Sequence, residues 1–142
     1  MRNATCCLLV VMFGSWSSSL GQNAPKFTTP QIVATFQRLN QTGPISPATL
    51  FTPKHWGTFQ VSLVMVQTVA GPVNGWWNAE FNWTDGGGAE SYDPISLGDA
   101  RGQDNWIFAT RVKAGTPFIF STTEADSPSG KYNVWIVVEQ LM

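Results

Sequence analysis

Cysteine occurs only at the adjacent positions Cys6 and Cys7. Residues 8–142 therefore have no disulfide framework and no thiol chemistry. Histidine occurs once, at His55, so side-chain acid–base chemistry would fall to that residue or to carboxylates. Charge is scarce as well. Asp, Glu, Lys and Arg make up 12% of the chain, about half the usual share. The formal net charge is −1, which gives no basic footprint for nucleic acid. Beyond the N-terminal region there is no apolar stretch long enough for a membrane span. No long segment repeats apolar residues at the three-to-four spacing of an amphipathic helix.

Aromatic residues are plentiful, at 13%, with seven tryptophans and nine phenylalanines. The polar residues are mainly Thr, Ser, Asn and Gln, a composition suited to an extracellular or particle-associated surface. Arg2 precedes an apolar run over 6–16, followed by a Ser-rich stretch. The run is too short to cross a bilayer, which takes about 20 residues, and reads as a secretory signal peptide. Ser19 and Gly21 fit the positions before a cut that would leave Gln22 first. The expected organisation is a signal peptide over 1–21, an N-terminal extension over 22–34 and one domain over 35–142. Removing the signal would also remove both cysteines, so the domain must be held by its core. About 120 residues suffice, since a domain of that size buries roughly two thirds of its unfolded surface.

Alternation at period two runs through that domain. "QIVATFQRLNQ" (31–41) is rich in β-branched and aromatic residues and predicts a strand. In "TFQVSLVMVQTV" (58–69), Phe59, Val61, Leu63 and Met65 share one side. "AGPVNG" follows, and Asn74-Gly75 is a hairpin turn signal. In "GWWNAEFNW" (75–83), Trp77, Ala79, Phe81 and Trp83 take one face, and Trp76, Asn78, Glu80 and Asn82 the other. Residues 85–104 read as a loop region holding one short strand over 92–97. Strands follow at 105–112, 116–123 and 131–141. Six to eight short strands without a helix predict an all-β fold, a single antiparallel β-sandwich of jelly-roll type.

The polar side chains offer few catalytic constellations. His55 lies in the turn-like "TPKHWG", and no nucleophile-elbow pattern surrounds Ser62, Ser121 or Thr122. Glu80 and Glu139 both fall on strands, where neighbouring carboxylates would suit glycoside hydrolysis, yet each occupies an ordinary outward position. Asp85, Glu90, Asp93, Asp99 and Asp104 gather in one acidic region that could supply oxygens to Ca2+, although the ordered spacing of a calcium loop is missing. No enzymatic activity is expected. Trp76 with Asn78 and Glu80 offers a face for a saccharide, a flat apolar ring beside hydrogen-bonding groups. On the last strand, Tyr132, Val134, Ile136 and Val138 form one face, and Trp135, Val137 and Leu141 make the other apolar too. A strand apolar on both sides is covered on both sides, and a neighbouring subunit is the expected cover.

The segments "LNQTGPISPATLFTP", "GTFQVSLVMV", "FNWTDGGG", "RVKAGTPFIFSTT" and "YNVWIVVEQL" together resemble a set of mostly uncharacterised bacterial and phage-associated small β-sandwich proteins. The likeness covers residues 38–141 and is specific in order and spacing. It implies no chemistry. Phe59-Gln60 stands where Tyr-Arg is usual in that set. Asn40 and Asn82 head glycosylation acceptor patterns, which a bacterial or phage origin leaves without a role. The step from "FTP" to the Gly57–Phe59 strand start is also similar to complement-C1q and tumour-necrosis-factor jelly rolls, implying ten strands and a trimer. The resulting expectation is a non-enzymatic, secreted or particle-surface structural or adhesion module that forms homo-oligomers, first of all trimers. Its rivals are a carbohydrate-binding module with a glycan or cell-surface partner, and a phage virion decoration protein of the tail or capsid.

Overall fold

The computed structural model describes residues 29–70, 75–98, 102–125 and 130–141. Eight strands are found among them: β1 (Gln31–Gln41), β2 (Ala48–Phe51), β3 (Gly57–Val69), β4 (Trp76–Thr84), β5 (Ala89–Leu97), β6 (Gln103–Val112), β7 (Phe118–Ala125) and β8 (Lys131–Gln140). They form two four-stranded sheets, ordered β1-β8-β3-β6 and β2-β7-β4-β5, with every pairing antiparallel. The first strand pairs with the last, the second with the seventh, the third with the sixth and the fourth with the fifth. A long ribbon folded in half and wrapped around a core has this order. It is the jelly roll, and the all-β sandwich expected from the alternation is what forms.

The core is where period two places it. Phe59, Val61, Leu63 and Met65 of β3, Trp77, Ala79 and Phe81 of β4, and Tyr132, Val134, Ile136 and Val138 of β8 are all buried. Their neighbours along each strand face outward, as the pleat requires. Aromatic rings knit the two layers. Phe81 packs against Phe118 and Phe120 of β7 and against Phe108 of β6, at centroid distances from 5.2 to 5.7 Å. Trp77 lies 4.7 Å from Tyr132. Burying each such ring contributes about 2–3 kcal/mol. The indole N–H groups of Trp77 and Trp83 are buried without an acceptor among the described residues, which offsets part of that gain.

One polar network crosses the core. The Tyr132 hydroxyl donates to the Gly43 carbonyl at 3.1 Å and lies 2.7 Å from Thr122 Oγ1, which accepts from the Ile45 amide at 2.7 Å. The tyrosine proton is committed to Gly43, so the threonine hydroxyl donates to the tyrosine. The chain thereby joins β8, β7 and the β1–β2 connection. Burial raises the Tyr132 pKa above 10.0, the Thr122 hydrogen bond opposes that, and Glu124 adds a smaller upward push. At the β5–β6 side, Trp106 Nε1 donates to the Tyr92 hydroxyl at 3.0 Å, closing the sandwich between its sheets.

Several expectations need correction. The hairpin expected at Asn74-Gly75 does not pair β3 with β4, because the two strands lie in different sheets, and a local turn signal cannot specify the sheet of the next strand. The region 85–104 is mostly strand: β5 begins at Ala89, after a tight turn at 85–88, and β6 at Gln103. Proline at 94 and the Gly-rich turn conceal β5 in the sequence. The β4–β5 register shifts between Ala79 and Phe81, so Pro94 falls at an irregularity, where proline is tolerated. β1 starts at Gln31, so residues 31–34 belong to the sandwich rather than to an extension. Eight strands, not ten, are present among the described residues. The expected signal peptide over 1–21 lies outside them.

Candidate functional site

The outer face of the β2-β7-β4-β5 sheet carries the first candidate. Trp76, Asn78 and Glu80 do share one face of β4, spread over about 13 Å at roughly 3.3 Å per residue. Trp76 is 43% exposed, while Asn78 and Glu80 are half-buried. One oxygen of each is already engaged. Asn78 Oδ1 accepts from Ser96 Oγ at 2.6 Å, and Glu80 Oε1 accepts from Asn82 Nδ2 at 2.9 Å. Across β7 the partners are Thr123 beside Asn78 and Ser121 beside Glu80. The face is therefore polar, cross-linked to itself and crowned by one indole at its end.

The β1-β8-β3-β6 sheet has a different outer face. Trp135 stands directly opposite Val64, in a row running Gln37, Trp135, Val64, Asn105. The next row runs Thr35, Val137, Ser62, Ile107, and the one beyond it Ile32, Glu139, Gln60, Ala109. Ile107 is 66% exposed and Ile32 63%, with Trp135, Val137, Val64 and Val66 half-buried. The expected trio is only partly brought together. Trp135 and Val137 sit side by side, but Leu141 follows the strand, its amide donating to the Thr58 carbonyl at 2.8 Å. It is about 20 Å from Trp135 along the chain. Val64, Val66, Ile32 and Ile107 complete the patch and were not singled out from the sequence. Reading 105–112 at period two was the available signal, since it puts Ile107 and Ala109 on one side.

The acidic candidates do not converge. Asp85 Oδ1 caps the β4–β5 turn, accepting from the Gly87 and Gly88 amides at 2.6 and 3.3 Å. Gly88, at φ 136°, makes that turn possible. Asp85 and Glu90 both flank Gly87, Asp93 is exposed farther along β5, and Asp104 begins β6 with its Oδ1 on the Asn105 amide. Asp104 lies roughly 25 Å from Asp85, the length of β6. Among the described residues no three His, Cys, Asp or Glu side chains come together for a metal ion, and Asp99 falls outside those residues. The sequence had read as one acidic loop what the structure separates into two strands.

The catalytic candidates are also dispersed. Glu80 and Glu139 occupy outer faces of opposite sheets, so they form no pair. His55 is exposed at the β2–β3 connection. Thr122 is buried in the tyrosine network, and Ser62 lies on the outer face of β3. Trp56, 48% exposed next to His55, and Arg111 at the end of β6 were not offered as site residues from the sequence; no local pattern marks residues 55 positions apart as neighbours.

No family model matches the chain, and no curated protein matches it. Among solved structures, it is similar to the crystal structure of infectious bursal disease virus VP2 subviral particle, at 12% identity and a TM-score of 0.39. The match covers 78% of this chain and 32% of that one, so the chain spans about a third of that protein's length. The jelly-roll assignment follows from the strand order itself.

Proposed function

We propose that the protein is a non-enzymatic structural or adhesion module of a secreted or particle surface, and that it self-associates through the outer face of the β1-β8-β3-β6 sheet. One observation carries the reading: that face sets Trp135, Val137, Val64, Val66, Ile107 and Ile32 into adjoining rows, and Ile107 and Ile32 are each more than 60% exposed. Residues of this kind are depleted from free surfaces when they gather in one patch. Four strands about 4.8 Å apart and about 30 Å long give a footprint of roughly 600 Å². A specific interface takes about 800 Å² per partner, so association in the micromolar range is expected rather than a permanent assembly.

A trimer is the first arrangement to test. Sedimentation equilibrium of the chain at micromolar concentration should return a mass above that of the monomer, three times it for the trimer. Ile107→Lys should lower that mass toward the monomer's. A monomer mass for the unaltered chain at 100 μM would end the reading. The likeness to bacterial and phage-associated β-sandwich proteins fits this role, and virion decoration is its particle-bound form.

A second reading assigns saccharide binding to the Trp76 face, favoured by a 43% exposed indole beside amide and carboxylate groups. Retention of Trp76→Ala on a glycan array, compared with the unaltered chain, tests it; equal retention rejects it.

A further inference from the structure

The loops at one end of the sandwich form a depression that neither sheet face includes. Trp56 from the β2–β3 connection, Asp85, Gly86 and Gly87 from the β4–β5 turn, and Arg111 from the end of β6 line a space of about 430 Å³. A second hollow of about 190 Å³ adjoins it, lined by Trp56, Gly57, Thr58 and Arg111. Trp56 and Arg111 thus stand between the two. Small-molecule sites occupy clefts of about 300–1,000 Å³ with a few placed polar groups on an apolar wall.

The wall is the Trp56 indole, 48% exposed despite its size. Its six-membered ring lies against Gly86, where a Cβ would meet Cη2 at 3.6 Å. The absence of a side chain at Gly86 keeps the space beside the ring open. The Arg111 guanidinium has no hydrogen-bond or ion-pair partner among the described residues. Asp85 commits Oδ1 to the turn amides, and Oδ2 takes no part in that turn. The concavity therefore sets hydrogen-bond donors and an acceptor beside one aromatic platform.

We propose that this end of the molecule is a saccharide site, with the chemical class of ligand a neutral pyranoside bearing adjacent hydroxyls. A hydroxyl both donates and accepts, so a neighbouring pair can donate to Asp85 and accept from Arg111 while the ring's apolar face lies on Trp56. The carboxylates of Asp85 and, beyond Gly87, Glu90 oppose the charge of Arg111, which disfavours a phosphate or a polyanion. The Trp76 face differs in form: its side chains lie along one strand of a sheet rather than around a hollow, and one oxygen each of Asn78 and Glu80 accepts from Ser96 and Asn82. The inference is independent of self-association, since it concerns a ligand rather than mass.

The test is isothermal titration calorimetry of the full chain with lactose, cellotriose, maltotriose and chitotriose, and with sialyllactose and inorganic phosphate as charged comparisons. At least one neutral probe should bind at millimolar concentration or tighter. Trp56→Ala and Arg111→Met should each weaken it at least tenfold, Gly86→Leu should abolish it by filling the space, and Asp104→Asn, at the far end of β6, should leave it unchanged. Circular dichroism and urea midpoints of the variants establish that each is folded. No heat from any neutral probe at 10 mM overturns the proposal, as does phosphate binding more tightly than every saccharide. Full affinity in folded Trp56→Ala, or its loss in folded Asp104→Asn, overturns it too.

Discussion

On the outer face of β4, Asn78 and Glu80 bond to Ser96 and Asn82, whereas on the outer face of β8 the comparable central places hold Trp135 and Val137. Both strands are interior to their sheets, and both bury their alternate residues completely. The inward sets are interchangeable in kind: Trp77, Ala79 and Phe81 on one strand, Tyr132, Val134 and Ile136 on the other. The fold therefore constrains one side of each strand and leaves the other open to different uses. One sheet spends its outer side on hydrogen bonds to itself, and the other presents side chains whose exposure water disfavours.

The sharpest test sets two adjacent tryptophans of β4 against each other. Trp77→Ala opens a cavity in the core and should cost about 3–5 kcal/mol in urea unfolding. Trp76→Ala, one residue away, should cost less than about 0.5 kcal/mol. Similar costs for the two would mean that inner and outer sides are not distinct.

Next in size is the link between sheets. Tyr132→Phe leaves the Gly43 carbonyl without its donor and should cost about 1–3 kcal/mol. The pH dependence has a definite sign. The folded pKa of Tyr132 is raised above the ordinary 10.0, so the protonated phenol is favoured in the folded state. Its contribution is full below about pH 10 and is lost as pH rises from there through the folded pKa. Urea midpoints of the parent should fall over that alkaline window by more than those of Tyr132→Phe.

Smaller still is the effect on association. Ile107→Lys places a charge in the apolar rows and should weaken self-association about tenfold or more, some 1.4 kcal/mol, with an unchanged urea midpoint. On the opposite sheet, Glu80→Gln should leave the sedimentation profile where it was. If it shifts the mass as Ile107→Lys does, the two faces are not separate in function.

Much of this was legible in the residues. The period-two sets of β3, β4 and β8 named the core, because a half-buried strand writes its orientation into every second letter. β1 was readable from its β-branched and aromatic content. The link after β3 was not: Asn74-Gly75 obeys local turn chemistry, and whether a chain turns back or crosses to another layer depends on partners far along the sequence. The acidic stretch misled similarly, since composition cannot separate a loop from an exposed edge strand such as β5. Trp76, Asn78 and Glu80 were placed correctly on one face, but their hydrogen bonds to Ser96 and Asn82 need the register of β5. Trp56 and Arg111 meet only because β3 and β6 are paired from Gly57↔Val112 onward.

The pairing of β1 with β8 has a consequence for synthesis. A ribosome releasing this chain delivers the first strand of that sheet well before its neighbour, and β3 waits for the same late arrival. β3 and β6 can pair early, but β1 cannot join that layer until β8 emerges, and contacts between distant positions are slow to form, typically on a scale of milliseconds to seconds for such topologies. Deleting residues 133–142 should therefore leave β1 without a neighbour and β3 paired on one side only, with β6, exposing two lengths of unpaired backbone at once and inviting aggregation.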